Sequence, residues 1–231
     1  MELIRVSGAP AAALRRPGQR AWRQRVADGA VARGRGRGAE DRSPGPRRAV
    51  RLDFEVRPRG WVDLDSLVEV ALAGLRDAGV FSRGYPQLDL LVATKRVAET
   101  PGLVVRSLYP VDADGPVPGA VALEATGEAL PAAGRLADKR AWRGRVAAAW
   151  GATHPLDGPV WVDVALRTPG SLLGPLEPVL DALEPCLGRD PRGQPRQEFF
   201  PRDDLVTWLR VRRAPPPAPA LRLRLGPLDD G

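Results

Sequence analysis

The sequence predicts an α+β protein made of two tandem copies of one small domain, each a mixed sheet with two helices. Two observations carry that expectation. Arg20-Ala21-Trp22-Arg23-Gln24-Arg25-Val26 is answered by Arg140-Ala141-Trp142-Arg143-Gly144-Arg145-Val146, with six of seven positions identical. Around each copy of this motif, runs that alternate apolar and polar residues and runs with helical spacing follow in one order, β-α-β-α-β-β.

In the first copy IRVSGAP reads as a strand ending in a turn, and the Trp22 segment as a helix. RLDFEV at 51–56 alternates with a period of two, as a strand with one buried face does. A Leu-rich helical segment starts at Leu64 (LDSLVEVALAGLRDAG), then come the strands QLDLLVATK and GLVVRSL. The second copy answers with VALEATGEALP, the Trp142 helix, VWVDVAL at 160–166, a helical GPLEPVLDALEPCLG from Gly174, and the strands DLVTWLRV and ALRLRL. The expected domains are residues 1–110 and 120–231. The Asp-, Gly- and Pro-rich stretch VDADGPVPG, 111–119, reads as the linker between them. The copies differ mainly in Ala32–Arg48 of the first, too rich in Gly, Arg and Pro to pack and expected to be a mobile arm.

The chain has 231 residues, of which 43% are hydrophobic and only 5% aromatic, so each core must rest on Leu, Val and Ala. Its formal charge of +7 favours a polyanionic partner, nucleic acid ahead of an anionic membrane. Nearly all the cations are Arg, Lys95 and Lys139 being the lysines, a bias that a GC-rich genome also produces. No apolar run reaches the ~18 residues of a membrane span, and the N-terminal MELIRVSGAP has no signal-peptide pattern, so the expected location is cytoplasmic and nucleoid-associated. One cysteine, Cys186, and one histidine, His154, exclude an internal disulfide and a Cys/His zinc site. Any metal would be held by carboxylates, which points to Mg²⁺ or Mn²⁺.

Across residues 2–109 the chain resembles the RusA family of Holliday junction resolvases. The matching pieces are Gly8-Ala9-Pro10 after the first strand, Trp22 in the first helix and Asp63-Leu64-Asp65-Ser66-Leu67 entering the second. Ala78-Gly79-Val80-Phe81, Gln87 and Lys95 follow in the family's order. In the second copy Val179-Leu180-Asp181-Ala182-Leu183 resembles the second helix, and Asp203-Asp204 the family's later acidic pair. The resemblance implies a pseudodimer that binds branched DNA, with clustered aspartates holding Mg²⁺ for phosphodiester hydrolysis. The implied catalytic and metal-binding residues are Asp63, Asp65, Asp203 and Asp204. Neither copy has a full set. In the first, Ser66 and Glu69 replace the family's Asn and Lys, and Gly84-Tyr85-Pro86 stand where its later acids belong; in the second, Ser171 and Leu173 replace the first acidic pair. Either the copies lost complementary parts, or one centre forms between them; a catalytically inactive DNA-binding or protein-interaction scaffold is the alternative.

Plainer readings stand beside these. Ser66-x-x-Glu69 has the spacing of a helix capping box, and Asp203-Asp204 the look of turn acids. Candidate phosphate contacts are Arg15, Arg16, Arg20 and Arg23, the arm's Arg33, Arg35 and Arg37, Lys95, and Arg140 and Arg143, with a solvated basic face as the plain alternative.

Overall fold

The two-residue period expected of RLDFEV is realised, with Leu52, Phe54 and Val56 buried between partly covered neighbours, whereas VWVDVAL, expected to bury one face, is buried at every position. The computed structural model describes residues 3–11, 17–34, 48–57, 62–81, 87–108, 115–132, 134–151, 154–193 and 198–228. It is an α+β protein, and the chain divides into two compact units, Met1–Asp114 and Gly115–Gly231.

The first unit runs β1 (Leu3–Ser7), α1 (Pro17–Gly34), β2 (Arg48–Val56), α2 (Leu64–Asp77), β3 (Leu88–Val97) and β4 (Gly102–Leu108). Its sheet has the order β1-β4-β2-β3, with β4 antiparallel to both β1 and β2 and β3 parallel to β2. In β2 the alternate residues Val50, Leu52, Phe54 and Val56 are buried, whereas Arg51, Asp53 and Glu55 are only partly covered. The buried set faces the helices. A Cβ on Gly29 of α1 would meet Ile4 and Val6 of β1, and one on Gly74 of α2 would lie 2.7 Å from the Arg23 carbonyl and 2.8 Å from the Val26 Cβ. Only a glycine allows α1 and α2 to approach so closely.

The second unit runs β5 (Leu123–Gly127), α3 (Leu136–Trp150), β6 (Val160–Leu166), α4 (Leu176–Asp181), α5 (Glu184–Leu187), β7 (Val206–Arg213) and β8 (Leu221–Pro227). The sheet order is β5-β8-β6-β7, with β8 antiparallel to its neighbours and β7 parallel to β6. The single helix expected from Gly174 is two short ones, because Pro185 has no N–H to continue the ladder and the chain restarts on it. Gly115–Gly119, expected to be linker, belongs to this unit: Gly119 lies against the Trp161 indole and the Pro227 carbonyl, and Arg210 donates to the Gly115 carbonyl. Of the stretch Ala32–Arg48 expected to be an arm, Ala32, Arg33 and Gly34 belong to α1 and Arg48 to β2, and residues 35–47 lie outside the described residues.

The two units share more than their order. Ala98 N–H donates to Val56 O beyond the end of β2, and Ala214 N–H to Leu166 O beyond the end of β6. The parallel pairing carries one register shift near its start in each, at Arg48/Ala49 and Val160/Trp161. Trp22 and Val26 are fully buried in α1, as Trp142 and Val146 are in α3, so the repeated motif is a core stripe. Both buried indole N–H groups lack a hydrogen-bond partner.

Candidate nucleic-acid interface

The acids implied by the family resemblance fall in two places. Asp63 is the N-cap residue of α2, with an extended backbone and no capping bond from its side chain. Its Oδ1 is buried without a hydrogen-bond partner. Asp65 stands in the first turn, where its Oδ1 accepts the Ser66 N–H at 2.7 Å. The helix begins before Ser66, so that serine is not the cap and the capping box is not formed. Lys95, reaching from β3, donates to the Val62 carbonyl at 2.8 Å and so fixes the loop that delivers Asp63.

Asp203 and Asp204 form a 3-10 turn with Leu205, leading into β7. Asp204 lies 4.0 Å from Arg192, which binds the buried Asp190 more closely and holds its carboxyl below the usual range. Among the described residues no group of three or more acidic, His or Cys side chains converges as a metal site would. Mg²⁺ is commonly held by one or two carboxylates, with phosphate and water completing its shell. Asp63 and Asp65 are the pair the first unit offers, and of their oxygens Asp63 Oδ1 is buried and unpartnered.

The candidate phosphate contacts divide by what already holds them. Arg23 grips Asp77 at the end of α2 through two bonds of 2.5 and 2.7 Å, and this hydrogen bonding lowers the Asp77 carboxyl pKa. Arg143, its counterpart in the repeat, binds Glu184 at 2.9 Å, and Arg140 binds Glu198 at 2.6 and 2.9 Å. Each of these pairs fastens the Trp helix to a later segment of its own unit. Arg20 and Arg33 are exposed on α1. Arg15, Arg16, Arg35 and Arg37 lie outside the described residues.

Sequence reasoning overlooked the charged faces of the two sheets. Counting back from Val56 and Leu166, whose carbonyls accept equivalent bonds, places Asp53 and Asp163 at the same strand position. Asp163 is 1% exposed; Arg210 and Arg224 donate to it at 2.6 and 2.7 Å, and Arg212 lies at 3.5 Å. Burial pushes its pKa up, yet the three guanidiniums together bring it below the ordinary value. Asp53 accepts from Arg51 and from the Thr94 hydroxyl, both at 2.8 Å, with Arg106 at 3.7 Å. The signal lay in the period-two charges of RLDFEV and in the lone acid of VWVDVAL, set against Arg210, Arg212 and Arg224.

No protein-family model matches this sequence, and no curated protein matches it at a significant level. Among the described residues no helix is long and apolar enough to cross a membrane. Fold and geometry thus define an α+β protein.

Proposed function

We propose that this chain is a tandem duplication of a RusA-like domain that binds branched DNA such as a Holliday junction, with Mg²⁺-dependent cleavage as its activity. One observation carries the reading. At the β2–α2 junction, where the resemblance calls for the first catalytic acid, Asp63 occupies the cap position without capping, and one of its oxygens is buried and unpartnered. A purely structural Asp at this position would satisfy an orphan N–H of the helix. The equivalent element order of the two units supports the duplication, and the +7 charge supports a polyanionic partner.

A second reading, a non-catalytic scaffold that kept the fold, is favoured by the lack of a converging acidic group among the described residues and by the internal pairing of Arg23, Arg140 and Arg143. A synthetic four-way junction and a linear duplex, each with and without Mg²⁺, separate the two. Selective junction cleavage that disappears in Asp63→Asn/Asp65→Asn establishes the nuclease. Selective binding without cut products establishes a DNA-binding scaffold, and no DNA binding at low salt refutes both DNA-binding readings.

A further inference from the structure

We infer that the first unit contacts the phosphate backbone of nucleic acid through the sheet face opposite its helices, rather than through the arginines of α1. The inference rests on the DNA-binding reading above and assigns its surface.

The pairing register builds this face row by row. Arg51 stands beside Arg106 and Val92, Asp53 beside Val104 and Thr94, and Glu55 beside Gly102 and Arg96, while Arg5 pairs with Val104 from β1. Four guanidiniums and two carboxylates therefore share one face, leaving two positive charges. Strands lie ~4.8 Å apart and same-face residues ~6.7 Å apart along each strand. That interval is roughly two nucleotide rises along a duplex strand, so long arginine arms can reach phosphates two nucleotides apart.

The acids orient the arginines without burying them. Arg51 and Arg106 lie at Asp53, and Arg96 at Glu55, yet these side chains are 38%, 40% and 74% exposed, and Arg5 is exposed as well. A phosphate approaching the face meets partly exposed cations, three of them held in position by acids, which suits contacts that position a backbone without reading bases. The uncharged residues beside them include Thr94, Gly102 and the buried Val92 and Val104, and among the described side chains of this face no large apolar one is exposed to enter a lipid layer. On α1, by contrast, Arg23 is committed to Asp77.

The test is fluorescence anisotropy with labelled duplex and four-way junction in EDTA, between 50 and 200 mM salt. It compares wild type with Arg5→Gln/Arg96→Gln and with the helix control Arg20→Gln/Arg145→Gln. The sheet variant should lose about tenfold in affinity for both DNA forms and flatten the log K against log salt slope by about 1.8, two phosphate contacts' worth. The helix control should stay within about twofold. Arg5→Lys/Arg96→Lys, which keeps the charge, should recover the wild-type slope, separating lost contacts from a disturbed fold. Wild-type binding that the sheet variant leaves intact overturns this inference alone. If wild type binds phosphatidylserine vesicles but no DNA, or neither, the DNA-binding reading falls and this inference with it.

Discussion

The helix-free faces of the two sheets differ as open from closed. Each carries two acids and four arginines: Asp53 and Glu55 with Arg5, Arg51, Arg96 and Arg106 in one unit, Asp163 and Glu124 with Arg210, Arg212, Arg222 and Arg224 in the other. In the first unit the guanidiniums reach solvent. In the second, Asp163, Arg210 and Arg212 are buried and the Gly115–Ala122 segment crosses Trp161 and Arg210. One strand framework thus supports two uses of the same charges, an interaction surface and an internal ion cluster. Which use a face serves depends on what covers it, because burying an ion is tolerable only when its partners are complete.

The largest effect should come from the equivalent pair Asp53 and Asp163. Asp163→Asn leaves three buried or half-buried guanidiniums without their anion and should cost about 3–5 kcal/mol, against about 1 kcal/mol for Asp53→Asn, read as shifts in urea unfolding. The pH dependence sharpens the contrast. Because folding holds the Asp163 pKa below the ordinary value of an aspartate, its stabilisation is complete above that ordinary value and is lost as pH falls through the folded value. The gap between wild type and Asp163→Asn should therefore be widest near neutral pH and close as pH drops below about 4.

Two glycines give the next contrast. Gly74→Ala drives a Cβ into the Arg23 carbonyl and Val26, so it should destabilise by about 1–3 kcal/mol. Gly144→Ala in α3 meets nothing within 4 Å, so it should stabilise by up to about 1 kcal/mol. The smallest effects belong to Arg23→Ala and Arg143→Ala. These half-exposed pairs should contribute about 0.2–1 kcal/mol each, measured by thermal unfolding, and their removal should leave DNA affinity within about twofold.

The strands were legible because short Val- and Leu-rich runs are a local property: GLVVRSL is β4 and VWVDVAL is β6, residue for residue, although β6 is buried at every position and not on one face alone. The Trp motif was legible as a repeat, and its meaning was not. Arg23 and Arg143 look like free basic residues along the chain, while their partners Asp77 and Glu184 stand 54 and 41 residues away. The same limit hid the Asp163 cluster, whose arginines come from two other strands. The capping-box spacing at Ser66 misled because spacing alone does not say where a helix starts; the chain enters α2 three residues earlier, on Asp63.

The contrast between an open and a closed arginine face is tested most directly by modifying the protein with a phenylglyoxal reagent, with and without a saturating four-way junction, and mapping the products by mass spectrometry. Arg5 and Arg96 should react in the free protein and be protected in the complex, while Arg210 and Arg212 stay unreactive in both. Ready modification of Arg210 and Arg212 in the free protein, or undiminished reaction of Arg5 and Arg96 with DNA bound, would contradict the account.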